Sequence, residues 1–149
     1  MHLTRFTDYS LRVLLYLAVK EERRSTITEI AERFDISRNH LMKVVQDLSH
    51  HGYIISIRGK NGGLLLKREP SSIVLGELVR HTERDLALVE CLGTDNECVI
   101  TPACRIKHIL AEALDAFMTV LDGYTLEDLL GSRRQPLIRL LQLDDSPAA

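Results

Sequence analysis

Cysteine is scarce in this chain: three residues among 149. Three is an odd number and too few for a disulfide framework. Long apolar runs are missing too. No stretch approaches the roughly 20 consecutive apolar residues that a membrane span needs, so no membrane partner is expected. The opening stretch from Met1 to Asp8 has no apolar secretory core and no small-residue cleavage site. The expectation is therefore a cytoplasmic chain whose thiols stay reduced and free to bind metal. The signatures of common enzyme classes are also absent. There is no nucleophile elbow, Walker phosphate loop, dinucleotide fingerprint, paired-His zinc-protease motif or Cys-x-x-Cys pair. An enzyme is not expected. Repeats and low-complexity tracts are lacking. What remains is 45% apolar, enough for a real core, and the length fits one compact domain plus an appended element.

The net charge of −2 hides an asymmetry. Residues 1–70 carry 12 Lys/Arg against 8 Asp/Glu, whereas residues 71–149 carry 7 against 13. The stretch 36–68 holds Arg38, Lys43, Arg58, Lys60, Lys67 and Arg68 against a single acid, Asp47. Contact of the first half with a polyanion and an unevenly charged solvated surface fit this pattern about equally well.

Hydrophobic spacing gives a mainly α chain with one β-hairpin. Thr7 is expected to cap a first helix carrying Leu11, Leu14, Leu15 and Ala18 on its inner face. Thr26 and Glu29 have the spacing of a capping box ahead of a short second helix. Asp35-Ile36 reads as a tight turn, Ser37 as the cap of a third helix, and Gly52 as its left-handed stop. The β-branched run after Tyr53 and the partner run Leu64 to Leu66 enclose Gly59, Gly62 and Gly63, as a hairpin tip would. A fourth helix is expected from Val74 to Thr82, a loop over 83–105, and a long helix from Pro102 to about Leu121. Thr125 and Asp128 suggest a last short helix. The expected division is a winged helix-turn-helix DNA-binding domain over 1–82, a cysteine-bearing loop over 83–105, a dimerisation helix with a C-terminal helical segment over 106–143, and a flexible tail over 144–149.

Two short capped helices, a tight turn and a glycine-tipped hairpin describe a winged helix-turn-helix. Its reading helix would present Ser37, Arg38, Asn39 and His40 to the major groove. Arg can bond bidentately to guanine and Asn to adenine. Ser37 and the helix N-terminus suit a phosphate, Lys43 a backbone contact, and Arg58 and Lys60 on the wing a narrow minor groove. Taken singly, each has an ordinary reading as a solvated surface or turn residue; taken together and in this order they favour DNA.

The segments Ile30-Ala31-Glu32-Arg33, Ile36-Ser37, Gly52-Tyr53-Ile54 and Arg58-Gly59-Lys60-Asn61-Gly62-Gly63 resemble bacterial winged-helix regulators that carry iron–sulfur clusters. Leu3-Thr4-Arg5-Phe6-Thr7-Asp8-Tyr9 and Ile100-Thr101-Pro102-Ala103-Cys104-Arg105 are similar to the nitric-oxide-sensing repressors of that family. The resemblance runs from residue 1 to about residue 130. It implies a repressor whose iron–sulfur cluster reacts with nitric oxide, lowering operator affinity.

Cys91, Cys98 and Cys104 are soft ligands suited to such a cluster. They cannot supply four protein ligands, and their spacing does not separate 4Fe–4S from 2Fe–2S. His108, one turn beyond Cys104, and Asp8 are candidates for the fourth position. The resemblance favours Asp8, supplied by the partner subunit; some relatives place a His three residues after the last Cys, where this chain has Lys107. A helix-stabilising role for Asp8, a structural zinc site using His108 and a bare thiol sensor near Arg105 and Lys107 remain open. The stripe Ile106, Ile109, Leu110, Ala113, Leu114, Phe117, Val120 and Leu121 is too wide for one small domain to cover. A homodimer is expected, with reading helices about 34 Å apart on a palindromic double-stranded operator.

Overall fold

The computed structural model describes residues 1–143; the expected tail at 144–149 lies outside the described residues. Helix α1 (Arg5–Lys20) is capped by Thr4, whose hydroxyl accepts from the Thr7 amide at 3.3 Å. The expected cap, Thr7, instead lies buried inside the first turn, and its hydroxyl is turned toward the end of a distant helix. The capping box forms as expected at α2 (Ile27–Phe34): the Glu29 amide donates to Thr26 Oγ1 at 3.1 Å and the Thr26 amide to Glu29 Oε2 at 3.4 Å. Glu29 also receives the buried Tyr16 hydroxyl at 2.7 Å and Lys20 Nζ at 2.6 Å. Burial raises the Glu29 pKa, but these hydrogen bonds outweigh it and hold the carboxyl below its ordinary value.

Asp35 takes the left-handed conformation that turns the chain from α2 into α3 (Arg38–His50). Ser37 stands at the cap position of α3, but its side chain makes no cap hydrogen bond. Gly52, at φ 76°, is the expected left-handed stop. The chain then enters β1 (Ile54–Ile57), which pairs antiparallel with β2 (Gly63–Leu66) in the register Ile54↔Leu66 to Ile57↔Gly63. Ser25, just before α2, bridges the far edge of β2 through Ser25 N to Leu64 O at 3.2 Å and Leu64 N to Ser25 O at 2.7 Å. The wing is thus hydrogen-bonded into the helical unit.

Helix α4 (Leu75–Thr82) leads into the cysteine-bearing segment, and α5 (Arg105–Asp122) returns against it. An isolated bridge between Val74 and Thr125 closes the α4–α5 unit at its base, with Leu75 N donating to Tyr124 O and Leu126 N to Ile73 O, both at 2.9 Å. Pro102 does not open α5; it lies in a single 3-10 turn (Thr101–Ala103) that ends one residue before it. Beyond Thr125 come two 3-10 turns, Glu127–Leu129 and Gly131–Arg133, and then α6 (Arg134–Leu140).

One apolar cluster ties these parts together. It joins Leu14 and Leu17 of α1, Ile30 of α2, Leu41 and Leu48 of α3, Ile54 and Leu64 of the wing, and Leu78 of α4. Leu126, Leu130, Leu141 and Leu143 from the C-terminal segment enter the same cluster. Each such side chain contributes about 1.5–3 kcal/mol when fully buried. The architecture is a mainly helical winged helix-turn-helix with a long helix appended. No helix among the described residues is long and apolar enough to cross a membrane.

Candidate functional site

The reading helix shows its first turn to solvent: Ser37, Arg38, Asn39, His40 and, further along, Lys43 are all exposed. Leu41, Val44, Val45 and Leu48 hold the opposite face in the core, so the outward face is fixed by packing. His40 is not wholly free, since its ring lies 6.4 Å from that of Tyr9. Arg58 and Lys60 stand exposed on the wing tip. Among the described residues, none of Arg38, Lys43, Arg58 and Lys60 takes part in an intramolecular ion pair. Four uncommitted cations along one helix and one wing suit a phosphate backbone.

The wing tip is shaped by close backbone approach. A Cβ at Gly62 would sit 2.3 Å from Ile57 O and 2.9 Å from Gly59 O, so only glycine fits the turn. Arg24, not singled out by the sequence, donates its guanidinium to Asn61 O and ties the tip to the segment before α2.

The three thiols are unpaired, with Cys91 and Cys104 half-buried and Cys98 exposed. Two small turn units carry them. Cys91 lies in the 3-10 turn Glu90–Leu92, closed by Leu92 N to Val89 O at 3.0 Å and packed against α5. Cys98 is held by its own amide donating to Asn96 Oδ1 at 3.1 Å, and its carbonyl accepts the Thr101 hydroxyl at 2.8 Å. Cys104 stands at the cap position of α5. Glu97 N donates to Glu90 Oε1 at 2.6 Å and joins the two units. Asn96, Thr101 and Glu90 were not flagged from sequence; an Asn two residues ahead of a cysteine is the local turn signal that carried the information. The structure does not gather the three sulfurs within the 4.8 Å that a single shared ion would require. Three unpaired soft donors on one exposed loop nevertheless fit the donor chemistry of an iron–sulfur cluster, which is larger than one ion.

The fourth-ligand candidates lie elsewhere. His108 is exposed on the first turn of α5. Asp8 lies on the first turn of α1 and is held by Arg12, with Nε 3.1 Å from Oδ1 and Nη2 2.8 Å from Oδ2. A further acid, with no local signal in the sequence, ties α1 to the root of the loop. Glu83, the first residue beyond α4, is buried. It accepts from Thr4 N at 2.7 Å, Thr4 Oγ1 at 3.0 Å and Thr7 Oγ1 at 2.5 Å. Burial raises its pKa, but the Thr7 and Thr4 hydrogen bonds outweigh that and hold the carboxyl below its ordinary value.

Helix α5 carries two apolar faces. Leu110, Leu114, Met118 and Leu121 are buried or half-buried in their own chain. Ile106, Ile109, Ala113, Phe117 and Val120 face outward, with Ile106 58% and Val120 60% exposed. Their 3–4 spacing is the seam pattern of paired helices.

A family model described as "Rrf2: Iron-dependent Transcriptional regulator" matches residues 3–132. The HTH-type transcriptional regulator NsrR of Geobacillus kaustophilus is 53% identical over 135 residues, covering 89% of this chain and 92% of the relative. NsrR of Bacillus subtilis is 48% identical over 147 residues, covering 97% of this chain and all of the relative. Among solved structures, CymR, the global cysteine regulator of B. subtilis, superposes with a TM-score of 0.70 at 32% identity, covering 87% of this chain and 95% of that one.

Proposed function

The chain belongs to the Rrf2 family of transcriptional regulators, which are not enzymes, and from that premise we propose that it is a homodimeric repressor whose cysteine loop senses nitric oxide. One observation carries the reading: all three cysteines of the chain, unpaired, lie on the one segment that joins α4 to α5. Cys91, Cys98 and Cys104 would hold an iron–sulfur cluster, with Asp8 of the partner subunit completing the ligand set. When bound, the cluster supplies thiolate-held iron open to nitric oxide, whose attack lowers operator affinity.

The chain's own residues do the rest. Glu83, Thr4 and Thr7 fix the first turn of α1, which carries Asp8, against the root of the loop. Asp8, held in the free chain by Arg12, would be the residue that completes the ligand set of a partner's loop. The outward stripe on α5 pairs with its twofold mate, which sets the spacing of the two reading helices on a palindromic operator. Arg38, Asn39 and His40 face base edges, Ser37 and Lys43 hold phosphates, and Arg58 and Lys60 on the wing enter a narrow minor groove. A coupling of about 1–3 kcal/mol between loop and reading heads would give roughly a 5–150-fold change in operator affinity.

The test is anaerobic reconstitution followed by iron and sulfide analysis, visible absorption and gel shift with promoter DNA. The expected result is a coloured protein whose absorbance bleaches, and whose operator affinity falls, on adding nitric oxide. Each single Cys→Ala variant should lose cluster occupancy, and Asp8→Ala should alter the spectrum with the fold intact. A colourless, iron-free product would end the sensing reading, while DNA binding would stand independently.

A further inference from the structure

A second group of metal-ligating side chains lies well away from the cysteines in sequence. Asp47 and His51 are one turn apart at the C-terminal end of α3, and His81 is in the last turn of α4. One ligand atom from each lies within 4.8 Å of the other two. The Asp47 carboxylate reaches both rings: Oδ2 is 2.9 Å from His81 Nε2, and Oδ1 is 3.5 Å from His51 Nδ1. The rings of His51 and His81 approach to 3.6 Å between centroids, tilted by 56°.

We propose that Asp47, His51 and His81 bind a divalent transition cation, zinc above all, which clamps the reading helix to α4. The donor set is two imidazoles and one carboxylate, a combination found in zinc sites that keep one position for water. Zinc bonds of about 2.0–2.2 Å in tetrahedral geometry set ligand atoms roughly 3.4 Å apart. His81 Nε2 and His51 Nδ1 lie 2.9 and 3.5 Å from the two oxygens of the one Asp47 carboxylate, separations of that order. Water can reach the fourth position, since the side chains of Asp47, His51 and His81 are 32%, 39% and 23% exposed.

Two further features favour a cation. Asp47 and His81 lie in the last turns of α3 and α4, where the partial negative charge of a helix end favours a cation. The i, i+4 spacing of Asp47 and His51 places both on one helical face, as in helical metal sites generally. His51 Nδ1 also lies 3.0 Å from the Asp47 carbonyl; on metal binding that nitrogen exchanges the carbonyl for the cation. Neither a cysteine nor a partner subunit takes part in this site.

The test must keep thiolates from competing. Zinc is titrated by calorimetry into the full chain with Cys91, Cys98 and Cys104 all replaced by Ala, and cobalt is followed by visible absorption. The expected result is one zinc per chain and cobalt bands without sulfur charge transfer. His81→Ala and Asp47→Asn should each weaken zinc binding by at least about tenfold, because even groups that merely support metal ligands contribute about 10–100-fold. A zinc-dependent rise in Tm should disappear in the same variants. If the triple variant does not fold, the natural chain with its thiols alkylated is titrated instead, with NMR of the imidazole signals as readout. Zinc should then move the His51 and His81 signals and leave His2 unmoved. Absence of stoichiometric zinc, binding that depends wholly on thiols, or affinity unchanged in His81→Ala and Asp47→Asn would each overturn the proposal.

Discussion

Between residues 41 and 48 the chain places Leu41, Val44, Val45 and Leu48 in the core, whereas between residues 84 and 104 it buries no side chain at all. The reading head is held by apolar burial, in a core that the C-terminal segment helps to complete. The cysteine loop is held by short-range polar bonds among Glu90, Asn96, Glu97 and Thr101, and such bonds add only about 0.5–1.5 kcal/mol each. A segment without burial has little stability of its own, so a ligand can dominate its conformation. The contrast is what the proposed function would require: a loop that a ligand can rearrange, and a DNA-facing head that a core holds in place.

The sharpest way to break this contrast is a pair of truncations in the metal-free chain. Leu41→Ala should lower unfolding stability by about 2–5 kcal/mol, because it leaves a cavity in a packed site. Cys98→Ala, on an exposed loop, should change it by less than about 0.5 kcal/mol. Urea titration of both variants measures the difference, and equal losses would show that the loop is part of the cooperative core.

The root of the loop should behave like the head rather than the loop. Glu83→Gln removes the charge that accepts three hydrogen bonds from Thr4 and Thr7 and should cost about 1.5–3 kcal/mol at neutral pH. The folded-state pKa of Glu83 lies below its ordinary 4.5. Its contribution is therefore complete above that value and is lost as pH falls through the lower, folded-state value. The variant's deficit should accordingly shrink on acidification through this window. A deficit that stays constant with pH would mean that shape rather than charge holds the knot.

Much of the head was legible because its signals are local. Thr26 and Glu29 are three residues apart, and the stop at Gly52 follows directly on α3. The misreadings come from contacts distant in sequence. Thr7 resembles a cap until Glu83, 76 residues away, claims its hydroxyl. The partnership of His81 with Asp47 spans 34 residues and leaves no periodic trace. Helix α6 falls inside the expected C-terminal helical segment, and its Pro136 sits in the first turn, where the missing amide is not needed. The stripe on α5 was legible as a period, but periodicity did not reveal that Leu114 and Met118 face inward while Ile109 and Val120 face outward. The loop's cysteines were readable as chemistry but not as geometry, because nothing buried fixes their positions.

Operator binding sharpens the same contrast from the other side. Arg38→Ala, on a helix face fixed by four buried neighbours, should cost about 1–3 kcal/mol of specific DNA affinity and relax selectivity at one base pair. Lys60→Ala on the wing should weaken binding evenly across sequences and reduce its salt dependence. Competition binding with single-base operator variants separates the two, and unchanged selectivity in Arg38→Ala would remove that base contact.

The smallest effect expected within the head is at Thr26, where the head too depends on polar bonds. Thr26→Ala deletes the hydroxyl that accepts from the Glu29 amide, a change that costs about 1 kcal/mol at an N-cap. The loss should stop there, because Glu29 has other anchors. Its carboxylate still receives Tyr16 and Lys20, so the first turn of α2 remains attached to α1 after the cap is gone. For a chain of this length that corresponds to a Tm decrease of roughly 2–4 °C. Glu29→Ala, by contrast, should cost more than Thr26→Ala, since it orphans the buried Tyr16 hydroxyl as well as half of the capping box. A larger loss at Thr26 than at Glu29, read by thermal melts of the two variants, would mean that the cap rather than the Tyr16–Glu29–Lys20 cluster holds α2 in place.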